Sequence, residues 1–371
     1  MKDTKKLKTI FGQIPDFRRQ HKQLYELESI LLIGIISVLC GANSWNEMEN
    51  YAHSKEEFLR TFLELPNGIP SHDTFNRIFS NIDSKLFEAC FIQWVSTLSQ
   101  LEPREVIAID GKTIKGAKSS GGKSPVHMVS AWASKNNLVL GQVKVTDKSN
   151  EITAIPTLLE ALDLKQTIVT IDAMGCQKEI AEAIIRKEAD YILAVKANQD
   201  HLYEDIINEF QSENSVYSHK HTDIGHGRIE TRVSSCISDL EFIDNAREWK
   251  NLKTIIKIES VREFKNSDKP KQKSTRYYIS SLIATADEFQ QAIRSHWSVE
   301  NKLHWSLDVS FGEDASRKRT NNAAQNFSLL SKIALNLLKN EKTCKLGVKS
   351  KRLQAGWDNH YLIKALNFLK V

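Results

Sequence analysis

Asp110 and Asp172 each stand directly after a run of buried-strand residues, Val106-Ile107-Ala108-Ile109 and Thr167-Ile168-Val169-Thr170-Ile171. In open α/β sheets, sites gather at the carboxyl ends of strands, so the two acids face one rim if their strands are parallel neighbours. A single Asp at a strand end is a common cap or turn residue; a matched pair points to chemistry. Two carboxylates can begin a divalent-metal site, but hard cations want several oxygen ligands, which calls for a third acid. Glu300 supplies it from a helix. In Arg294-Ser295-His296-Trp297-Ser298-Val299-Glu300-Asn301-Lys302-Leu303-His304-Trp305, the i, i+4 spacing sets His296, Glu300 and His304 along one face. A solvated face would carry Lys and Glu there; two Trp and two His around one Glu is unusual, with an interface helix bearing polar tips as the other reading.

The elements that must position these acids follow from the pattern. The first hundred residues read as helices: Leu24 to Leu39 is apolar nearly all round and stops at Gly41, and Ser44-Trp45-Asn46-Glu47 forms a capping box for a helix toward Leu63. Ser71 caps a short segment through Phe79, and Asp83 or Ser84 caps the helix carrying Phe87, Phe91, Trp94 and Leu98. Ile69 to Arg77 is read either as a DNA-reading helix after a turn or as an ordinary helix in a bundle. After Pro103 come the strand ending at Asp110-Gly111-Lys112, a Gly/Ser/Lys-rich loop through Lys123, and strands at 128–134 and 138–145. Two βα units and a further strand and helix then reach Phe210, in the order βββαβαβα, which predicts an α/β fold: a mixed sheet with antiparallel and parallel parts, flanked by helices. Residues 211–285 read as a β-rich insertion with strands at 229–237, 252–261 and 276–283. One helix is expected from Asp287 to Asp308 and another from Ala323 to Leu338, followed by a basic tail.

Composition bounds the rest. With 371 residues, 41% hydrophobic, 26% charged and only 15 Gly and 7 Pro, the chain is neither disordered nor fibrous, and has room for two or three domains. The longest apolar run, Ile30 to Cys40, has 11 residues where a membrane span needs ~20. It also starts too deep for a signal peptide. Five cysteines without a C-x-x-C pair fit free thiols, and a cytoplasmic location is expected. The net charge of +5 is uneven: residues 1–23 and residues 341–371 each carry seven Lys/Arg against two acids, leaving −5 for the middle. Basic ends around an acidic middle fit a polyanion-binding protein, or solvated tails.

Taken together, Ile109-Asp110-Gly111-Lys112-Thr113, Ile171-Asp172-Ala173 with Gln177-Lys178, Ala194-Val195-Lys196-Ala197-Asn198-Gln199, Gly225-His226-Gly227-Arg228-Ile229-Glu230, and His296-Trp297-Ser298-Val299-Glu300-Asn301 with Leu303-His304-Trp305 resemble the DDE transposases of the H-repeat-associated insertion-sequence family. The resemblance covers nearly the whole chain and includes the helical domain that accompanies the catalytic one. It implies an N-terminal all-helical, DNA-binding domain over 1–100 and an RNase H-like catalytic domain over 101–371, with the β-rich insertion before the last acid. It implies that Asp110, Asp172 and Glu300 form a metal-holding catalytic triad, with a spacing of 62 positions from the first to the second and 128 from the second to the third. In a wider set of transposases, Arg lies four before the Glu, Tyr three before that Arg and Lys seven after the Glu. Here those offsets hold His296, Ile293 and Leu307, with His296 able to replace the Arg as a phosphate contact.

The implied reaction is in-line attack on a phosphodiester by water or a 3′ hydroxyl, with two metal ions ~4 Å apart stabilising the entering and leaving oxygens. An all-carboxylate site favours Mg²⁺, with Mn²⁺ as a substitute. Lys112, Lys115, Lys196, Arg228 and Arg294 are the further expected phosphate contacts. The expected partners are double-stranded DNA at terminal inverted repeats and, on that DNA, further copies of the chain; no membrane is expected. Asp308, Glu313 and Asp314 compete with Glu300 for the third position. Asp308 is assigned instead to a cap or to a partner for Arg317 or Arg319, because ~12 Å of helix separates it from Glu300. Three alternatives remain beside the transposase: an RNase H-like nuclease without strand transfer, a catalytically silent DNA-binding derivative, and a zinc protein using His219, His221 and His226.

Overall fold

A computed structural model describes all residues except 1–8, 21, 22, 99, 119–124, 147–149, 213–215, 226, 266–268 and 367–371. In chain order the elements begin with five helices, α1 (Leu27–Leu39), α2 (Trp45–Ser54), α3 (Glu56–Leu59), α4 (His72–Asn81) and α5 (Ser84–Ser96). Three strands follow, β1 (Val106–Lys118), β2 (Pro125–Ala133) and β3 (Leu138–Lys144), then α6 (Glu151–Ala161), β4 (Ile168–Ile171), α7 (Lys178–Arg186), β5 (Asp190–Val195) and α8 (Asp200–Gln211). Four strands come next, β6 (Tyr217–Gly225), β7 (Arg228–Ile237), β8 (Thr254–Phe264) and β9 (Gln272–Ser280). The chain ends with α9 (Ala286–His296), a π-helical turn (Val299–His304), α10 (Trp305–Phe311), α11 (Ala323–Asn340), α12 (Val348–Trp357) and α13 (Asn359–Leu366). No described helix is long and apolar enough to cross a membrane.

The chain divides into two compact units, and β1 runs from one into the other. One unit comprises residues 101–110 and 151–299. Its sheet has the order β1-β4-β5-β9-β8-β7-β6, with β1, β4 and β5 parallel and the remaining pairings antiparallel. The β-rich stretch after α8 is therefore not a separate body: β9 pairs directly with β5, and the four strands extend the same sheet. Helix α9 opens with a true capping box, Thr285 with Glu288, and lays Phe289 and Ile293 on a core that includes Val106, Ile168, Ile192, Ile256 and Tyr278.

The other unit comprises residues 1–100, 111–150 and 300–371. It holds the rest of β1 with β2 and β3, and the helices that bury them. Helix α1 is apolar on every side and buried at nearly every residue, as its composition requires. Ser71 and Asp83 cap α4 and α5 through their side-chain oxygens.

Five expectations need correction. The helix after Ser44 stops at Ser54 and does not run toward Leu63. The Lys55 amide already closes it onto Tyr51 and Ala52, and the Glu47 carboxylate turns to the Asn43 amide at 2.5 Å, so the box is only half formed. The first strand does not close at Asp110-Gly111-Lys112 but continues to Lys118; of the loop expected through Lys123, residues 113–118 are strand and 119–123 lie outside the described residues. Tyr217–Gly225 is a strand although it looks like a polar linker, because an edge strand needs only its β7 partner and no buried face. The helix expected over 287–308 breaks after His296 and resumes as a π-helical turn. The basic tail forms two helices, in which buried Lys351 donates to Leu338 O and Glu341 O and buried Arg352 donates to Val38 O, so these cations cap carbonyls.

Candidate active site

Backbone pairing sets the centre of the site. β1 and β4 run parallel, with Val106 to Ile109 in register with Ile168 to Ile171. Asp110 and Asp172 are the next residues on these neighbouring strands, so the two acids leave the paired region side by side. Parallel pairing of two apolar runs, buried on both faces, fixes this register; a slip by one residue would turn the whole set to the wrong face. β5 lies on the other side of β4, with Ile171 opposite Leu193, and Lys196 follows at its end. The rim thus carries two acids and one exposed cation from three adjacent parallel strands.

Asp172 is the N-cap of a short 3-10 turn, Ala173–Gly175, and its Oδ1 accepts from the Met174 amide at 3.1 Å. Its carboxyl is held above the usual carboxylate range, first by burial and then by the negative charge of Glu151 at the start of α6; Lys196 works in the opposite direction. The loop after Asp172 is pinned by two amides of the Lys196-Ala197-Asn198-Gln199 motif. Asn198 Nδ2 donates to Ala173 O at 2.8 Å, and Gln199 Nε2 donates to Cys176 O at 2.8 Å. Gly175 permits the turn, since a Cβ there would run into the Ile171 side chain.

Glu151 is the residue that sequence reading missed. It opens a helix after an unremarked loop, and only its charge on Asp172 reveals it. No local signal marks such a position, because helices often carry an acid in the first turn.

The other expected site residues are placed as follows. Glu300 is exposed in the π-helical turn; His296 ends α9, and His304 closes the turn, so the three are not one α-helical face. π-bulges concentrate at functional positions because they re-aim side chains within a helix. His296 is engaged within the fold: its Nδ1 lies 2.9 Å from Thr170 Oγ1, and burial, with help from the Arg276 charge, pushes its pKa down to about 4. Lys112 is also engaged, its side chain only 10% exposed, with Nζ 2.7 Å from Asp308, 2.8 Å from Asp314 and 3.5 Å from Glu313. Asp308 therefore pairs with Lys112, not with Arg317 or Arg319. Lys115 is 76% exposed and pairs with Asp314 at 2.7 Å. Arg294 pairs with Asp223, and Arg228 lies on β7 where its charge acts on Glu230. Of the histidines in the zinc reading, His219 pairs with Asp287 and His221 with Asp223, whereas His226 lies outside the described residues.

Among the described residues, no three His, Cys, Asp or Glu side chains are gathered as a metal-holding group. The donor set at the rim nonetheless suits a hard divalent cation: it offers carboxylate oxygens, and the negative charge of Glu151, which with desolvation raises the Asp172 pKa, is one that a bound cation would offset.

The fold is a mixed α/β one with paired aspartates at the ends of adjacent parallel strands. Comparison with known proteins narrows this. Residues 101–337 match the family described as Transposase DDE domain, and residues 8–95 match its companion, DDE_Tnp_1-associated. The chain belongs to the DDE transposases, in the H-repeat-associated group. It is 46% identical over 362 residues to "Putative transposase YncI" of Escherichia coli O157:H7, spanning 95% of this chain and 92% of that one. It is 41% identical over 371 residues to "H repeat-associated putative transposase YhhI" of Escherichia coli K12, spanning 98% of each. Among solved structures, a piggyBac transposase in a synaptic complex with hairpin DNA aligns over 99% of this chain and 78% of that one, at a TM-score of 0.43 and 12% identity.

Proposed function

We propose that this protein is a metal-dependent transposase with an RNase H-like catalytic fold, which cleaves DNA at the terminal inverted repeats of an insertion sequence and joins the freed strand to a target. The observation that carries this reading is the register of Ile109 with Ile171, which sets Asp110 and Asp172 side by side in a chain of the transposase family. Asp110 and Asp172, with Glu300 from the π-helical turn, would hold Mg²⁺, or Mn²⁺ in its place. The bound cations supply stabilisation of the charge that builds on the entering and leaving oxygens of the phosphodiester. Lys196 offers a positive charge beside Asp172 for the phosphate, and Asn198 and Gln199 keep the Asp172 loop from shifting. The working form is a homo-oligomer assembled on the DNA ends.

The test is a nicking assay on a plasmid carrying one element end, with and without Mg²⁺ or Mn²⁺. Metal-dependent nicking followed by joined products is expected. Tight end binding with no nicking under either metal would replace the transposase with a silent DNA-binding derivative, and nicking without joined products would leave a nuclease.

A further inference from the structure

Arg317, Lys318 and Arg319 are three consecutive cations, and the acids just before them in sequence are the obvious partners. The fold uses those acids elsewhere. Lys112 takes Asp308, Asp314 and Glu313, and Lys115 takes Asp314, so that among the described residues no carboxylate pairs with Arg317, Lys318 or Arg319. The three cations line a groove of about 510 Å³ together with Asn43, Asn46 and Asn76. Burial pulls the Lys318 pKa down to about 8 against the charge of Glu47, whose Oε2 accepts from the backbone N–H of Asn43 at 2.5 Å.

The cations sit on a fixed support. A Cβ on Gly116 would lie 2.5 Å from Ser316 O and 2.8 Å from Asp314 O, so β1 and the 314–316 backbone are in closest approach immediately before Arg317. Lys318 is locked: its Nζ donates to Asn43 O at 2.7 Å and stands 3.4 Å from the centre of the Phe327 ring. Arg317 and Arg319 are exposed on either side of it. A groove with two exposed guanidiniums, uncharged amides in its lining and, among the described residues, no carboxylate paired with those cations fits a chain of phosphates better than a single carboxylate ligand or an apolar one.

We propose that this groove binds the phosphodiester backbone of duplex DNA, with Arg317 and Arg319 each neutralising a phosphate and the three asparagines donating to the same strand. The inference rests on the reading of the chain as a DNA transposase and adds a contact surface that holds DNA without reading its sequence.

The test measures affinity of the full chain for an element-end duplex and an unrelated duplex across a salt series. In Arg317→Gln/Arg319→Gln the slope of log affinity against log salt should fall in magnitude by about 1.8, from ~0.9 per phosphate contact on duplex DNA, with affinity reduced by the same factor on both duplexes. Arg317→Lys/Arg319→Lys should keep the slope, because charge is conserved. Asn46→Asp guards against misfolding: it is exposed, in the first turn of α2 where an acid suits the helix, and should weaken binding of both duplexes. An unchanged slope in the Gln pair, or unchanged binding by Asn46→Asp, overturns the groove as a DNA site. Absence of any duplex binding by the parent protein overturns the transposase reading along with it.

Discussion

Thr170 Oγ1 and His296 Nδ1 lie 2.9 Å apart, which ties the end of α9 to β4. Thr170 is two residues before Asp172, and His296 is four residues before Glu300. The contact anchors the C-terminal end of α9 to the strand that leads into Asp172. Arg276 stacks over the neighbouring Trp297 at 4.6 Å, so a cation faces this corner and a protonated His296 would meet both burial and like charge.

Thr170→Val removes the hydroxyl and leaves a buried ring nitrogen without its partner, which should lower stability by about 1–3 kcal/mol in urea or thermal melts. The same contact predicts a pH effect. His296 has a folded pKa of about 4 against an ordinary 6.5, so it is neutral in the fold while the unfolded chain takes up a proton below 6.5. Stability is therefore present above 6.5 and is lost as pH falls toward about 4. Melts of His296→Gln should show a weaker loss across that window; an unchanged profile would mean the histidine contributes nothing to it.

The aspartate pair was legible because two things coincide locally: an apolar β run and an acid at its end. What hid the rest was long-range partnering. The polar sequence Tyr217 to Gly225 becomes a strand only because β7 offers its backbone edge, and no burial pattern announces that. Lys112 looks like a phosphate contact in Asp110-Gly111-Lys112, yet its Nζ finds Asp314 across 202 residues of sequence. Lys332 is another such cation, fully buried at 2.5 Å from Gln142 Oε1 where composition would put it on the surface. The π-helical turn at Val299–His304 leaves the apolar spacing nearly intact, which is why one unbroken helix is the natural reading of 287–308.

Replacing Asp110, Asp172 or Glu300 by Ala should each lower metal-dependent nicking by at least about 100-fold, since even partners that merely orient a ligand cost 10–100-fold. Binding of the element end should stay within a few-fold of the parent, because no phosphate-contacting cation is removed. Gel shifts and nicking on the same preparations decide this, and a variant that nicks normally leaves the triad.

Lys112 joins three acids in a structural cluster, so Lys112→Met should destabilise by about 3–5 kcal/mol, leaving Asp308 and Glu313 without their cation and Asp314 with Lys115 alone. Net of an opposing burial effect, those three acids hold the Lys112 ammonium above its ordinary pKa, as a group with so many anionic neighbours must be. Asp308→Asn removes one acid of three and should cost about 1 kcal/mol, with nicking retained. Loss of nicking in a well-folded Asp308→Asn, together with survival in Glu300→Gln, would move the third metal ligand from Glu300 to Asp308.

Glu151 should govern the acid limb of the reaction. Burial is the first cause of the raised Asp172 pKa and the charge of Glu151 the second, so Glu151→Gln removes the second and lets Asp172 ionise at lower pH. Metal binds the ionised carboxylate, so less Mg²⁺ is then needed for half-maximal nicking below neutral pH, and the acid limb moves down by part of the original shift. At alkaline pH, where Asp172 is already ionised in both proteins, the two should match. Glu151→Asp keeps the charge and should keep the parent profile. Stability follows the same sign: the raised pKa means ionised Asp172 costs folding free energy above the ordinary carboxylate range, so Glu151→Gln should stabilise the protein at neutral pH more than at pH 4. Activity lost at every pH in Glu151→Gln would show instead that Glu151 touches the metal, and an unmoved acid limb would remove Glu151 from the site.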